Sequence, residues 1–112
     1  MLVHHHAHLP CEQREGVWSC RVAGPGQGAQ VLAAWQLVLE PGAEALIDAE
    51  AAESVLLVQQ GQGRLLPDSG PQRLSAPCTV CLPPAAAVAV QNIGATPLHL
   101  LLLRASPNRA AP

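Results

Sequence analysis

Two acidic residues in the middle of the chain are the first candidates for chemistry. Asp48 and Glu50 are two residues apart, and alternate residues of a strand share one face. In a small pocket, burial and like charge favour the protonated form of one carboxyl group, which suits general acid/base catalysis. The pair could also bind a cationic ligand or a hard metal ion. On a solvated rim, the two carboxylates would have no functional role.

Histidines are concentrated at the N-terminus. His4, His5, His6 and His8 lie within the first ten residues. On a strand, His4, His6 and His8 would share a face and could hold Zn²⁺ or Ni²⁺. The alternative, which the terminal position favours, is a poorly ordered segment that binds metal only adventitiously. His99 lies in an apolar run and could face a cavity as a ligand, or simply make one hydrogen bond.

The four cysteines do not have the spacing of a zinc site. Eight residues separate Cys11 from Cys20, and Cys78 and Cys81 would point to opposite faces of a strand. The sequence around them also lacks a thioredoxin-like βαβ pattern. We therefore expect reduced, buried, apolar thiols.

Length and composition limit the number of domains and the kinds of partner that we expect. The chain has 112 residues, of which 49% are hydrophobic, and this fits one small domain with ample core material. The net charge is −2 and no basic patch is present, so we expect no nucleic-acid partner. No apolar run is long enough to span a bilayer, so we expect no membrane association. The N-terminus lacks the features of a signal peptide, which predicts a cytoplasmic protein.

The elements that must position these residues are short and separated by Gly- and Pro-rich turns, a pattern typical of β-sandwiches and barrels. Strands are predicted within 11–23, at 30–39 and repeatedly after Gly61. Residues 43–60 are ambiguous. Their Ala, Glu, Leu and Gln content favours a helix between Pro41 and Gly61, whereas 54–60 also fits a buried strand.

Spacing over residues 42–92 resembles the two sequence motifs of the cupin family of small β-barrels, and the resemblance covers roughly 30–104. Every gap between motif positions matches, and four positions match in identity: Gly42, Gly61, Pro83 and Asn92. The resemblance implies an all-β, cupin-like double-stranded β-helix, or jelly-roll barrel, at 30–104. An N-terminal segment with edge strands (1–29) would precede the barrel, and a frayed tail (105–112) would follow it. It also implies that 43–50 form a strand.

In many cupins, two His and one Glu of the first motif and one His of the second hold a metal ion. The matching positions here are Asp48, Glu50, Ser54 and Val88. The resemblance therefore implies a barrel without the usual metal site, and we expect no cofactor. The alternative is a divalent metal ion at an atypical site formed by Asp48, Glu50 and His99.

The resemblance further implies that the even-numbered residues of 43–50 face the barrel interior. It predicts a ligand pocket with one apolar and one acidic wall, lined by Trp35, Asp48, Glu50, Ser54, Leu56, Val88, Val90 and Asn92.

Two functional hypotheses follow. The first is a cupin-like module that binds a small molecule or has a regulatory or structural role. The second is an enzyme that uses Asp48 and Glu50 as acid and base or as part of an atypical metal site. We also expect a homodimer, because small cupins commonly dimerise and because the apolar strands at 30–39 and 98–103 would be edges that need covering.

Overall fold

The computed structural model describes residues 1–48 and 52–105, and this part of the chain is almost entirely β-structure. One turn of 3-10 helix, His6–His8, precedes the strands. The strands are β1 (Cys11–Arg14), β2 (Val17–Ala23), β3 (Leu32–Leu39), β4 (Glu44–Ile47), β5 (Ser54–Gln60), β6 (Gln62–Leu66), β7 (Gln72–Ser75), β8 (Cys78–Leu82), β9 (Val88–Asn92) and β10 (Leu98–Ala105). Within the described residues, no helix has the length and apolar character needed to cross a membrane.

These strands form two antiparallel sheets that enclose one core. The larger sheet has the strand order β1-β2-β3-β10-β5-β8, and the smaller has the order β4-β9-β6-β7. Successive side chains of a strand alternate between the two faces of a sheet. Leu56 and Leu100 of the larger sheet and Leu65 and Val90 of the smaller sheet accordingly meet in one buried cluster. The predicted all-β jelly roll is confirmed.

The described part of residues 43–60 contains the two strands β4 and β5 and no helix. Helix propensities differ by less than about 1 kcal/mol per residue. Burying Ile47 or Leu56 in the core stabilises the fold by about 1.5–3 kcal/mol for each side chain. Leu56 pairs with Leu102 on one side and Val80 on the other, so burial and strand pairing override the helical preference of this segment.

The alternation expected for β4 is reversed. Ala45 and Ile47 face the core, whereas Leu46 on the even side is 67% exposed. The cause is the pairing with β9, in which Ala45 lies opposite Val90 and Ile47 opposite Val88. Directly opposite residues share a face of the sheet, and both valines are buried. The predicted inward orientation of the even positions is therefore wrong for β4.

Two motif positions shared with the cupins have clear structural roles. Gly61 has a φ of +101°, and a Cβ atom there would lie 2.9 Å from the carbonyl oxygen of Pro97. Asn92 is buried and donates hydrogen bonds of 2.9 Å from Nδ2 to the carbonyl oxygens of Leu39 and Thr96. Its Oδ1 accepts a hydrogen bond from the backbone N–H of Gly94. Both residues fix connections between strands.

The edges of the sheets differ from those expected. The apolar strand β3 lies between β2 and β10, and β10 lies between β3 and β5. The expectation that the segments at 30–39 and 98–103 present free edges is therefore wrong. Among the described strands, the outermost positions are taken by β1 and β8 in one sheet and by β4 and β7 in the other.

Candidate functional site

A cavity of about 420 Å³ opens between the two sheets at one end of the sandwich. Its apolar wall comes from the inner faces of β3 and β10 and from the end of β4, with Ala33, Leu37, Ile47 and Leu102 as buried members. Binding sites for small molecules typically have volumes of about 300–1,000 Å³ and are mostly apolar with a few polar groups. The cavity has the size and the apolar surface of such a site.

Trp35 and Arg21 form one side of this cavity. They lie directly opposite each other on β3 and β2, and Leu102 of β10 lies on the other side of Trp35. Arg21 Nε donates to Oε1 of Gln27 at 2.7 Å, and a terminal nitrogen donates to the carbonyl oxygen of Pro25 at 2.8 Å. The guanidinium is thus held at the cavity wall by the loop that follows β2.

Arg104 brings a second positive charge to the same cavity. Its Nε donates a hydrogen bond of 3.0 Å to the hydroxyl oxygen of Ser54, and a terminal nitrogen donates to the backbone carbonyl oxygen of Asp48 at 2.6 Å. These contacts join β10 to the start of β5 and to the end of β4. Arg104 therefore links two positions that the cupin motif reserves for metal ligands.

The predicted pocket residues lie in two different places. Trp35 and Asp48 line the cavity, with Asp48 exposed at its mouth. The core, in contrast, contains Leu56, Val88 and Val90.

Two further residues that were predicted to line the pocket make hydrogen bonds within the fold. Ser54 is buried and bonded to Arg104. Asn92 is not among the residues that line this cavity, and its amide group is hydrogen-bonded within the fold. Glu50 lies outside the described residues.

Three of the four motif positions that hold a metal ion in many cupins lie within the described residues, Asp48, Ser54 and Val88. The Ser54 hydroxyl accepts a hydrogen bond from a guanidinium, Val88 is apolar and buried, and Asp48 is exposed. A fixed positive charge next to a ligand position opposes a cation there. Across residues 1–48 and 52–105, no group of three or more His, Cys, Asp and Glu residues could hold a metal ion.

The histidines do not converge on the cavity. His99 lies on the opposite face of β10 from the core residues Leu98 and Leu100, so of its two alternatives the structure does not support a ligand facing the cavity. At the N-terminus, His6–His8 form a helical turn, which removes the strand alternation proposed for His4, His6 and His8. A ring nitrogen of His4 lies 2.6 Å from the carbonyl oxygen of Gln27, so the segment packs against the loop after β2.

The cysteines differ from the prediction of four buried thiols. Cys11 and Cys20 are opposite each other on β1 and β2 and form a disulfide. Cys78 is half-buried and Cys81 is exposed, and both are free. The four sulfur atoms therefore belong to separate sites on the larger sheet, at β1–β2 and at β8.

Sequence reasoning missed both arginines of the cavity, although the signal was present. In β10, Leu98, Leu100 and Leu102 face the core, and two further residues lead to Arg104. In β2, Val17, Ser19 and Arg21 are likewise two residues apart and therefore share one face of the strand. All three face the interior or the cavity. Alternation alone would have placed the two arginines on the inner face. Among the described residues, the cavity lining includes two guanidinium groups and one carboxylate, that of Asp48.

Comparison with known proteins identifies the architecture. No family model and no curated protein matches the sequence. Among solved structures, a sugar phosphate isomerase of the cupin superfamily from Silicibacter pomeroyi is 21% identical with a TM-score of 0.70, covering 80% of this chain. This chain spans only 59% of that protein.

Two other solved structures are similar over most of the chain. The polyketide cyclase RemF from Streptomyces resistomycificus is 14% identical with a TM-score of 0.81, over 98% of this chain and 82% of that chain. The Cupin_2 domain of an XRE family transcriptional regulator from Enterobacter cloacae is 18% identical with a TM-score of 0.69, over 82% and 98%. At these identities, the likeness concerns architecture. The chain has the cupin fold.

Proposed function

We propose that this protein is a cupin-like binding module for a small organic carboxylate, held in the cavity beside Trp35. The observation that carries this proposal is the presence of two guanidinium groups, from Arg21 and Arg104, on a wall that is otherwise largely apolar. Arginine presents a planar set of N–H donors that matches a carboxylate. An apolar or aromatic body on the ligand would contact Trp35 and Leu102.

Electrostatics favours an anion over a cation. Among the described residues that line the cavity, the two arginines are opposed by one carboxylate, that of the exposed Asp48. Arg21 and Asp48 are exposed and Arg104 is half-buried, so solvent screens the charge of Arg104 less than the other two. An anionic ligand would be attracted by the guanidinium groups of Arg21 and Arg104.

The proposed module works without the metal site of the family. The support for this part is the Arg104–Ser54 hydrogen bond and the apolar side chain of Val88 at motif positions. The enzyme hypothesis based on Asp48 and Glu50 remains a prediction. Fold similarity does not decide between the two, because solved structures with this architecture include an enzyme and a domain of a transcriptional regulator.

Intrinsic fluorescence offers a direct test. Trp18 and Trp35 are the two tryptophans, and the Trp18→Phe variant leaves Trp35 as the only one. Benzoate, benzamide and benzylamine have the same ring and differ in charge. We expect benzoate to change the Trp35 emission with saturation, and benzamide and benzylamine to bind at least about tenfold more weakly, equivalent to about 1.4 kcal/mol.

Charge-removal variants provide the matched control. Arg21→Gln and Arg104→Gln should each weaken benzoate binding several-fold. Arg64→Gln removes an exposed charge from the outer side of the smaller sheet and should leave the affinity unchanged. Equal binding of the acid and its amide, or unaltered benzoate affinity in both cavity variants, would contradict the proposal.

The expected cytoplasmic location also remains a prediction. The Cys11–Cys20 disulfide bears on it, because disulfides persist in oxidising compartments and are rare in the cytoplasm. Alkylation of free thiols at the moment of cell lysis, followed by mass measurement, separates the two cases. Four alkylated cysteines would support the cytoplasm, and two would support an oxidising compartment.

A further inference from the structure

A second hollow adjoins the cavity on the open side of the sandwich. It has a volume of about 420 Å³, and Val17 of β2 and Ala45 of β4 belong to its lining. Three residues, Ser19, Leu37 and Leu46, line both this second hollow and the cavity described above. The two spaces therefore share a boundary. We call the cavity and the second hollow together the groove.

The groove follows strand β2. Val17, Ser19 and Arg21 share one face of this strand because alternate residues do so, and they lead from the second hollow to the arginine end of the cavity. Four residue steps along a strand correspond to about 13 Å. At the end near Val17, a Cβ atom on Gly16 would lie 3.1 Å from the Cβ atom of Ala43. This close approach of two chain segments bounds the groove at that end.

The floor of the groove is apolar. Leu37 and Ile47 are buried, and Val17 and Ala45 are half-buried and pack against the core cluster. Leu46, at the boundary between the two spaces, is 67% exposed. Its strand, β4, is the outermost described strand of the smaller sheet, so no further described strand covers this side of the groove. An alkyl chain in the groove would remove these apolar surfaces from water, which favours binding.

The two ends of the groove differ in charge. Arg21 and Arg104 line the cavity end, with Asp48 at its mouth. The charged residues that line the second hollow are three glutamates and one arginine, all exposed: Glu12, Glu15, Glu44 and Arg14. A carboxylate is attracted at the first end, whereas a second carboxylate at the other end would lie near an excess of negative charge. Because most of these side chains are exposed, water and salt weaken both effects.

We infer that the ligand of the groove is an extended aliphatic monocarboxylate, with its carboxylate beside Arg21 and Arg104 and its chain in the second hollow. The inference rests on the proposed function for the carboxylate site, and it adds the length and the charge of the ligand. A short carboxylate would occupy the cavity alone. Each methylene group that is fully removed from water strengthens binding about fourfold, so a chain that reaches the second hollow binds more tightly.

Isothermal titration calorimetry of the full chain with three acids tests the length and the charge. Butyrate is short, decanoate in its extended form is about as long as the groove, and decanedioate has the same chain with a second carboxylate. We expect decanoate to bind at least about tenfold more tightly than butyrate. Decanedioate should bind at least about threefold more weakly than decanoate, because its second carboxylate would lie near Glu12, Glu15 and Glu44.

A variant that fills the second hollow tests where the chain lies. Ala45→Leu adds bulk there, and Ala45 does not line the cavity. This variant should bind decanoate at least about fivefold more weakly and benzoate with unchanged affinity. Ala89→Leu is the matched control, because Ala89 is also half-buried in the smaller sheet but faces outward and lines neither part of the groove. It should leave both affinities unchanged.

The outcomes separate this inference from the function on which it rests. Equal affinities for butyrate and decanoate, or for decanoate and decanedioate, would overturn the inference. An unchanged decanoate affinity in a folded Ala45→Leu protein, or in Arg104→Gln, would overturn it as well. If benzoate binding still depends on the two arginines in any of these cases, the proposed function stands, whereas failure of benzoate to bind would overturn both. Should Ala45→Leu not fold, the comparison of the three acids in the wild type decides.

Discussion

The Nε of Arg104 donates a hydrogen bond of 3.0 Å to the hydroxyl oxygen of Ser54. Ser54 is buried at the start of β5, and Arg104 lies directly opposite it on β10. Ser54 occupies the position at which the cupin motif has a glutamate ligand. The guanidinium group of Arg104 is therefore bound to the side chain at this motif position.

A double-mutant cycle on this pair measures its contribution. A hydrogen bond to a charged donor contributes about 1.5–3 kcal/mol when buried, and partial exposure of Arg104 reduces this value. We expect Ser54→Ala and Arg104→Gln to be coupled by about 1–2 kcal/mol in the free energy of urea unfolding. Combining Arg104→Gln with Ser19→Ala, also in the cavity, should give additive effects within about 0.5 kcal/mol. Equal coupling for both pairs would contradict the assigned role.

Much of the fold could be predicted because turns and spacing are local properties of the sequence. Gly61 illustrates this, since its φ of +101° is a local backbone conformation that glycine adopts without strain. The orientation of β4 could not be predicted in the same way. It is set by its register with β9, a contact between residues about 45 positions apart, and a shift of one residue reverses every side chain.

The site was harder to predict than the fold because a cavity is made by several strands together. Trp35 was expected to line it and does, but Arg21 and Arg104 reach it from the two strands that flank β3. Alternation in β2 and β10 predicts which face of the sheet carries these two arginines. It does not predict that both side chains reach the same cavity. Motif spacing directed attention to the positions that are ligands in many cupins. Here Asp48 is exposed at the cavity mouth, whereas Ser54 and Val88 are buried.

Asn92 is expected to be among the most sensitive polar residues of the fold. Asn92→Ala removes three hydrogen bonds and leaves the carbonyl oxygens of Leu39 and Thr96 without this donor. Because unsatisfied buried groups cost about 1–3 kcal/mol each and the effects overlap, we expect a loss of about 2–4 kcal/mol in urea unfolding. The adjacent Gln91→Ala breaks only an exposed bond to Glu44 and should cost less than about 1 kcal/mol. Similar losses for the two variants would rule out the anchoring role of Asn92.

Substitution of Gly61 and of Gly70 distinguishes the cost of an unfavourable backbone conformation from the cost of a steric clash. Both have positive φ values, +101° and +117°, but a Cβ atom at Gly61 would meet Pro97 and Leu98, whereas one at Gly70 meets nothing within 4 Å. An unfavourable φ costs about 1–3 kcal/mol in either place. We expect Gly61→Ala to lower the unfolding free energy by about 1–2 kcal/mol more than Gly70→Ala, because only the first also displaces backbone atoms. Thermal and urea unfolding of the two variants give the comparison.

The disulfide between Cys11 and Cys20 is expected to stabilise the first hairpin. It joins opposite residues of β1 and β2, with eight residues between them in sequence. Closing a loop of this length reduces the entropy of the unfolded chain by an amount equivalent to about 2–3 kcal/mol in the chain-entropy model. Cys11→Ser combined with Cys20→Ser should therefore lower the unfolding free energy by about this amount, and reductant should lower that of the wild type equally.

Two controls accompany this prediction. Reductant should have no effect on the double serine variant, and Cys81→Ser, which alters an exposed free thiol, should change stability by less than about 0.5 kcal/mol. Thiol titration in denaturant supplies the count: two free thiols in the oxidised wild type, from Cys78 and Cys81, and four after reduction. Four thiols in protein prepared without reductant, or equal stability of the wild type and the double variant, would show that the hairpin is held by strand pairing and side-chain packing alone.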